Sequence, residues 1–267
     1  MAATFLDLGG RVSVVTGGAR GIGAATALEL ARAGSAVALF DLDGDEASQA
    51  AATIESETGV KARGYATDVR KPEIIERMCD AVALEFGSID HLINNAGIQH
   101  IAPLAEFPND AWDEVMGVNL DGVFYATKAV WPHMLIRNRG RIINMASAHG
   151  LVASPYKPAY VAAKHAVVGL TRAAALEGAS VGITVNAVCP GAVLTDLVRE
   201  QGPYLAQRYG NDISEEEALE RAFLDAMPSR TFIDEQEVGQ LCAFLCSDAA
   251  RSITGAPIPI DGGWTAH

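Results

Sequence analysis

The sequence RVSVVTGGARGIG at residues 11–23 joins a short run of β-branched residues to a glycine-rich turn, and an alanine-rich helical pattern follows as far as residue 33. Gly17, Gly21 and Gly23 let the backbone turn tightly and approach a pyrophosphate. The free N–H groups and the dipole at the amino end of the following helix favour an anion there. Strand, turn and helix in this order predict the first unit of a dinucleotide-binding fold.

Strand and helix patterns continue to alternate after this unit. Apolar runs predict further strands at 36–40, 61–67, 91–94, 141–145, 184–188 and 256–260. Periodic segments predict helices at 45–57, 71–86, 110–137, 159–176 and 235–246, with an interruption near Pro132 in the longest of them. Such alternation predicts an α/β fold with a parallel sheet of about seven strands, and without repeats or linkers residues 1–267 are expected to form a single domain.

Residues 197–227 break this alternation. Their composition shifts to glycine, proline and acidic residues, and they contain the charged amphipathic piece SEEEALERAF at 214–223 but no strand pattern. We therefore expect a mobile, helical lid over a substrate site in this part of the chain.

Composition narrows the class of protein. Of the 267 residues, 49% are hydrophobic and 20% are charged, and the formal charge of −13 disfavours nucleic acid and anionic membranes as partners. The first residues lack a basic and apolar leader pattern, and no window reaches about 18 uninterrupted apolar residues, so a cytosolic protein is expected. The cysteines lack the spacing of metal ligands, so no metal site is predicted and buried thiols are expected at Cys79, Cys189, Cys242 and Cys246.

Acidic residues follow the second and third predicted strands. Asp41 lies eighteen residues after Gly23, where a carboxylate accepts hydrogen bonds from the adenosine ribose and repels a 2′-phosphate, which predicts NAD as the cofactor rather than NADP. The alternative is that Asp41 only caps the turn before Gly44. Asp68 is placed either to accept a hydrogen bond from the adenine amino group or to cap the next helix, and the sequence leaves both open.

The stretch NMASAHGLVASPYKPAYVAAKH at 144–165 gathers the candidate catalytic groups. Tyr160 and Lys164 stand four apart in a predicted helix and share one face, where the ammonium is expected to lower the pKa of the phenol below about 10 and make it an acid/base group. Ser147 follows a predicted strand at the end where open α/β sheets bind ligands, so its hydroxyl is suited to polarise a substrate oxygen. On its own, a Tyr-x-x-x-Lys pair is more often a surface feature, so the surrounding motifs determine whether this pair is catalytic.

Further motifs also follow predicted strands. Residues 94–97, NNAG, are expected to form the floor beside the cofactor, and CPGAVLTD at 189–196 is expected to lie beside the nicotinamide. Asn119, in the apolar context VNL, is expected to hold a helix kink and a water, with a buried core amide as the alternative. The residues predicted to contact the cofactor are Gly17, Arg20, Gly21, Ile22, Gly23, Asp41, Asp68, Val69, Asn95, Ala96, Gly97, Tyr160, Lys164, Pro190, Gly191, Val193 and Thr195.

These motifs occur in order along the chain: TGxxxGxG at 16–23, NNAG at 94–97, asparagine at 119, serine at 147, YxxxK at 160–164 and PG at 190–191. With this order, the sequence resembles the short-chain dehydrogenase/reductase family over nearly its whole length. The resemblance implies a single Rossmann-type, doubly wound parallel sheet with helices on both faces, and a homotetramer. It also implies Tyr160 as the acid/base, Lys164 on the nicotinamide ribose, Ser147 on the substrate oxygen and Asn119 on a relay water.

A closer likeness extends to the branch of this family that oxidises D-3-hydroxybutyrate. It is carried by NNAGIQH at 94–100, SAHGLVASxxKxAY at 147–160, LVREQ at 197–201 and DGGWTA at 261–266. In that branch the substrate carboxylate is held by residues that match Gln99, His149, Lys157 and Gln201, and Trp264 is expected to line the same site. An ammonium, an imidazole and two amides are donors suited to a small carboxylate, although each alone has an ordinary structural explanation.

Two segments depart from that branch. Ala192 stands where a tryptophan is usual, which predicts a roomier pocket. Ser154, Pro155 and Tyr156 are bulkier than the residues expected before Lys157, so the path of that loop is left open.

The leading hypothesis is an NAD-dependent oxidation of (R)-3-hydroxybutyrate to acetoacetate, in which Tyr160 takes the hydroxyl proton and hydride leaves for the nicotinamide. One alternative is an NADPH-dependent 3-oxoacyl thioester reductase, against which Asp41 argues because no basic residue stands beside it to receive a 2′-phosphate. Another short-chain hydroxy-acid or alcohol dehydrogenase would use the same machinery. A non-enzymatic NAD sensor is disfavoured by the intact Ser147, Tyr160 and Lys164.

Overall fold

The structure, a computed structural model, describes residues 6–210 and 212–266. The strands are β1 (Val12–Thr16), β2 (Ala36–Asp41), β3 (Ala62–Ala66), β4 (His91–Asn94), β5 (Gly140–Met145), β6 (Ile183–Pro190) and β7 (Pro257–Ile260). The helices are α1 (Gly21–Arg32), α2 (Gly44–Thr58), α3 (Pro72–Phe86), α4 (Asn109–Met116), α5 (Gly122–Ile136), α6 (Pro158–Gly178), α7 (Asp196–Arg199), α8 (Gly202–Tyr209), α9 (Glu215–Phe223) and α10 (Glu235–Cys246).

All seven strands lie in one parallel sheet with the order β3-β2-β1-β4-β5-β6-β7, which confirms the predicted doubly wound α/β architecture. Every residue of β1, β5 and β6 is buried, as expected for central strands that are covered on both faces. The strand order reverses between β1 and β4, and in sheets of this kind the crevice at that reversal is where ligands bind.

Helices cover both faces because alternate residues of each strand point in opposite directions. Val15, Ile93 and Ile143 belong to a core that includes buried residues of α1 and α10. Their neighbours Val14 and Leu92 belong to a second core with buried residues of α3 and α5. The apolar runs of the sequence therefore supply two hydrophobic layers, and the sheet between them holds the ends of the strands in fixed positions.

The predicted helix at 110–137 differs from the structure in where it is interrupted. The break lies at a π-helical turn, Gly117–Asp121, between α4 and α5, whereas α5 continues through Pro132 to Ile136. Proline removes only its own N–H from the helical hydrogen bonds, and α5 ends one turn later. A π turn inserts an extra residue without a proline signal, so the predicted position of the interruption was wrong.

Residues 197–227 contain short helices, as predicted for this segment. Ser214 caps α9 by accepting a hydrogen bond from the Glu217 N–H at 3.1 Å. The buried side chains of α9 are Ala218, Leu219 and Phe223, so the amphipathic piece recognised in the sequence packs its apolar face inward. Movement of this segment as a lid stays a prediction.

Two further properties concern only the described part of the chain. None of its helices combines the length and apolar character needed to span a membrane. No three of its His, Cys, Asp or Glu side chains are grouped so that they could hold a metal ion.

All four cysteines are buried and free, which confirms that they are core thiols.

Candidate active site

A cleft of about 560 Å³ opens at the carboxyl ends of the strands around the β1–β4 reversal. Most of the residues predicted to contact a cofactor line it: Gly17, Arg20, Gly21, Ile22, Asp41, Asp68, Val69, Asn95, Ala96, Gly97, Tyr160, Lys164 and Thr195. Gly23, Pro190, Gly191 and Val193 do not line this cleft. A volume of several hundred Å³ is the ordinary size of a cofactor or substrate site.

The glycine turn after β1 lets the backbone approach the segment after β4. Gly17 has φ +61°, and a Cβ at this position would lie 2.8 Å from the Cα of Ala96. The Asn95 amide donates to the carbonyl oxygens of Thr16 at 3.2 Å and of Gly17 at 2.9 Å. A Cβ at Gly23 would lie 1.9 Å from the Gly17 oxygen, so Gly23 serves the close packing of α1 on the turn rather than the cleft wall.

Asp41 reaches back from the end of β2 to the glycine turn. Its Oδ2 accepts a hydrogen bond from the Ala19 N–H at 3.1 Å, and its Oδ1 makes a longer contact of 3.4 Å with the Asp43 N–H. The cap of α2 is Asp43, whose side chain accepts from the N–H groups of Asp45 and Glu46. The contact with the Asp43 N–H lies in the turn before Gly44, so the turn-cap alternative for Asp41 stays open, and Asp41 also lines the cleft, where a ribose is expected to bind.

Asp68 lines the cleft but is already engaged by Arg70. The Arg70 guanidinium donates to both carboxylate oxygens at 2.9 and 2.8 Å, and this hydrogen-bonded ion pair holds the pKa of Asp68 below its usual range. The cap position of α3 is Lys71, so the helix-cap alternative for Asp68 is wrong. Arg70 also lines the cleft, and the sequence analysis missed it although its spacing from Asp68 allows this bidentate pair.

Ser147, Tyr160 and Lys164 come together between β5 and α6. The Ser147 hydroxyl acts on the Tyr160 phenol and lowers its pKa, and it accepts the His149 N–H at 3.1 Å. The Lys164 ammonium lies 5.4 Å from the centroid of the Tyr160 ring and donates to the Met145 carbonyl oxygen at 2.7 Å. The structure thus places a hydroxyl, a phenol and an ammonium beside one another, as the four-residue spacing predicts.

The pKa of Tyr160 moves in the direction opposite to the prediction. Burial raises the pKa of the phenol, and the hydrogen bond from Ser147 opposes this only in part. Burial also lowers the pKa of Lys164 to about 8. Lys164 points its ammonium at a carbonyl oxygen rather than at the phenol, so its charge does not outweigh the loss of hydration around Tyr160.

Asn119 is fully buried in the π turn and ties that turn to the segment after β4. Its Oδ1 accepts the Ile98 N–H and its Nδ2 donates to the Ile98 oxygen, both at 2.9 Å. The side chain thus sits at an irregular part of the helix, as expected, and the residue it holds precedes Gln99. The water that Asn119 is predicted to hold stays a prediction.

Lys157 and Gln201 form a buried, hydrogen-bonded pair. The Lys157 ammonium donates to the Gln201 Oε1 at 2.9 Å and lies 4.7 Å from the centroid of the Phe223 ring. Gln201 also donates through its Nε2 to the Leu197 carbonyl oxygen at 2.9 Å. Burial lowers the pKa of Lys157 to about 8. Phe223 is not among the residues predicted for the site, although its position on the apolar face of α9 indicates that it is buried there.

His149, Gln99 and Trp264 complete the predicted substrate set. The His149 Nε2 is hydrogen-bonded to the Ser154 hydroxyl at 2.6 Å, and its ring packs edge-on against Tyr160 and Trp264, with centroids 6.1 and 5.1 Å apart. Burial and the Lys157 charge lower the pKa of His149 to about 3, so the imidazole is neutral. Gln99 lines the cleft, and its buried Nε2 has no hydrogen-bond partner among the described residues.

A family model described as short chain dehydrogenase matches residues 11–205, which is well over half of the chain and includes the glycine turn and the Ser147, Tyr160 and Lys164 group. The chain belongs to the short-chain dehydrogenase family. Membership makes this protein an oxidoreductase that uses a nicotinamide cofactor.

Similar proteins of this family act on different substrates. The D-beta-hydroxybutyrate dehydrogenase of Rhizobium meliloti (strain 1021) is 43% identical, covering 96% of this chain and 99% of that protein. The 3-oxoacyl-(acyl-carrier-protein) reductase FabG of Staphylococcus epidermidis (strain ATCC 35984) is 37% identical, covering 94% and 97%. The structure of an NAD⁺-bound xylitol dehydrogenase superposes with a TM-score of 0.90 at 36% identity, covering 96% and 99%.

The cleft of this dehydrogenase has features that fit a dinucleotide. The backbone at Gly17 is too close to Ala96 for any side chain, and α1 begins directly after the turn, so its free N–H groups border the cleft. Asp41 supplies a carboxylate that lines the same cleft beside the glycine turn.

The turn at 189–196 contributes less to this dehydrogenase's cleft than the sequence predicts. Val193 is buried and pairs with Ile233, and a Cβ at Gly191 would lie 2.9 Å from the Cα of Asp261. Ala192 is buried as well, with its N–H on the Met227 sulfur at 3.4 Å, so the extra room expected from the missing tryptophan is not found there. Thr195 and Asp196 are the residues of this turn that line the cleft.

Proposed function

We propose that this dehydrogenase oxidises (R)-3-hydroxybutyrate to acetoacetate, reversibly, with NAD as the cofactor. The observation that carries the proposal is the buried Lys157 ammonium, whose polar partner among the described residues is the neutral amide of Gln201. A buried charge without a counter-charge is costly, and a substrate carboxylate would supply the missing one. Gln99 adds a buried donor that a carboxylate oxygen could accept from.

The proton chemistry follows from the Ser147, Tyr160 and Lys164 group. Ser147 donates to the substrate oxygen, and Tyr160 takes the hydroxyl proton as the carbinol becomes a carbonyl. Because burial raises the pKa of Tyr160, the phenolate needs positive charge nearby, and Lys164 is the ammonium adjacent to it. When bound, NAD supplies the hydride acceptor, and Lys164 is proposed to hold its ribose.

The same machinery would reduce a 3-oxoacyl thioester, which is the reaction named for the relative from Staphylococcus epidermidis. That substrate is neutral at the position where Lys157 is buried, so the thioester would leave the ammonium unpaired. Initial rates with both cofactors on (R)- and (S)-3-hydroxybutyrate, a neutral secondary alcohol and a 3-oxoacyl thioester test the proposal. The proposal requires the (R)-acid with NAD to be the best combination.

Asp41 is proposed to select NAD. Asp41→Ala removes a ribose acceptor and a charge that repels a 2′-phosphate, so the NAD to NADP ratio of kcat/KM should fall by at least about tenfold. The matched control is Asp43→Ala, which removes the neighbouring carboxylate that caps α2. The control should cost about 0.5–2 kcal/mol of stability and leave the cofactor ratio in place. An unchanged ratio in Asp41→Ala would show that Asp41 only supports the turn.

Carboxylate binding is expected to weaken at alkaline pH because the pKa of Lys157 in the free site is about 8. A carboxylate favours the charged ammonium, so its affinity is constant below that pKa and falls about tenfold for each pH unit above it. The inhibition constant of butyrate, measured from about pH 6 to pH 9.5, reports this slope. Lys157→Met should bind butyrate weakly, and its affinity should no longer fall tenfold for each pH unit above about 8. An equal slope in that variant would remove Lys157 from the carboxylate site.

A homotetramer and a cytosolic location remain proposals based on the sequence and its resemblance to the family. Phe124 on α5 and Leu176 on α6 are exposed apolar side chains that an assembly of subunits would be able to cover. Light scattering of the purified protein measures the number of subunits directly.

A further inference from the structure

Tyr156 has a left-handed backbone conformation, with φ +69°, in the residue directly before Lys157. A bulky residue rarely adopts this conformation, and it persists only where surrounding contacts hold it. The loop therefore carries a local strain next to the ammonium that is proposed to bind the substrate carboxylate. The strain calls for a contact that stabilises the Tyr156 side chain where it is.

Arg208 of α8 supplies that contact. Its guanidinium lies 3.8 Å from the centroid of the Tyr156 ring, and its Nη2 donates to the Tyr156 phenolic oxygen. The backbone of Tyr156 is anchored separately, because its carbonyl oxygen accepts the Ala102 N–H at 3.0 Å. Arginine stacking on an aromatic ring with an added hydrogen bond is a directional contact that lysine does not reproduce.

The spacing of the contacts joins α8 to the loop at two points. Gln201 precedes α8 and Arg208 lies near its end, seven residues later, so the two side chains project from the same side of the helix. Gln201 is bonded to Lys157 and Arg208 is bonded to Tyr156, which are consecutive residues of the loop. The α8 segment therefore contacts the loop through two pairs, the buried pair of Lys157 with Gln201 and the exposed pair of Tyr156 with Arg208.

We propose that Tyr156 and Arg208 are positioning residues, forming a latch that holds α8 on the loop and so sets Lys157 and Gln201 for the substrate carboxylate. The inference rests on the proposed function, since it concerns the same carboxylate site. Tyr156 stands where the resemblance leads one to expect a smaller residue, so the latch is a feature of this chain. The latch acts through Lys157 and Gln201, and neither of its members is placed in contact with the reacting atoms.

Tyr156→Gly gives the sharpest test because glycine adopts the left-handed conformation without strain. This variant should keep its thermal stability while the KM for (R)-3-hydroxybutyrate rises by about two- to fivefold, the range for an exposed cation–π contact. Its kcat and its KM for NAD should change less than about twofold on the same scale. Arg208→Ala should raise the KM by a similar factor. The KM of the double variant should be only slightly higher than that of either single variant, because both substitutions remove the same contact.

Arg221→Ala is the matched control. The Arg221 guanidinium lies 4.8 Å from the centroid of the Tyr209 ring. Both residues belong to the segment 197–227, so their contact does not reach the loop before Lys157. This control should leave the KM unchanged. A KM increase in Arg221→Ala equal to that in Arg208→Ala would overturn the latch, as would an unchanged KM in Tyr156→Gly.

Amide hydrogen exchange of 202–209 separates the latch from the proposed function, because it needs no turnover. With NAD present, exchange of this helix should be faster in Tyr156→Gly and Arg208→Ala than in the wild type and Arg221→Ala. If the wild type fails to oxidise (R)-3-hydroxybutyrate but these exchange rates differ as expected, the substrate proposal fails and the latch stands. Equal exchange in all four proteins overturns the latch whatever the substrate.

Discussion

Tyr160→Phe is expected to lower kcat by roughly 10²–10⁴-fold while the dissociation constant for NAD stays nearly unchanged. The substitution keeps the ring that packs against His149 and removes the phenolic oxygen, whose pKa Ser147 lowers. The carbinol proton then has no acceptor at the position where the structure offers one. Steady-state kinetics together with calorimetric titration of NAD measure the two quantities.

Tyr65→Phe is the control for this experiment. Tyr65 on β3 also donates its phenol to a side chain, Glu85, at 2.7 Å, but it lies outside the residues that line the cleft. Its loss should leave kcat as it is. If Tyr160→Phe kept most of its turnover, the acid/base assignment would be wrong, and Ser147 would become the next group to test.

Lys157→Ala is expected to lower kcat/KM for (R)-3-hydroxybutyrate by about 10- to 150-fold, because a charge-assisted hydrogen bond in a closed site contributes roughly 1.5–3 kcal/mol. A neutral alcohol such as 2-butanol, however poor a substrate, should be almost unaffected. The difference between the two substrates is the informative quantity, since a damaged loop would impair both. Equal losses would mean that Lys157 supports the fold rather than the carboxylate.

The pairing of Lys157 with Gln201 makes a double substitution informative. Each residue is the other's hydrogen-bond partner, so Lys157→Ala with Gln201→Ala should cost less than the sum of the single losses. Lys61→Ala is a matched control, because the Lys61 ammonium also lies over a phenylalanine, Phe86 at 4.1 Å, but on an exposed part of the surface. It should leave both substrates unaffected.

The fold could be predicted from the sequence because local patterns and long-range packing agree. The strand at 11–16, its glycine turn and the following helix form one unit in both. The central strands are largely apolar along their whole length, a pattern that is typical of strands in a parallel sheet covered on both faces. For the same reason the four-residue spacing of Tyr160 and Lys164 was enough to place them together, since it depends on the helix alone.

Features that depend on distant side chains could not be predicted. The pKa of Tyr160 depends on which neighbours surround a buried group rather than on spacing. The path of the loop at Tyr156 depends on Arg208, 52 residues away in the chain. The π turn at Gly117–Asp121 contains Asn119, where a kink was expected, whereas the interruption predicted near Pro132 is not found.

Recognition of the carboxylate of a short 3-hydroxy acid is measured by comparing (R)-3-hydroxybutyrate with its methyl ester as substrates, with NAD as the cofactor. The two share the reacting carbon and differ in the charge that Lys157 is proposed to bind. We expect a kcat/KM at least about tenfold higher for the acid, the lower bound for a lost charge-assisted hydrogen bond. Equal or faster turnover of the ester would contradict it.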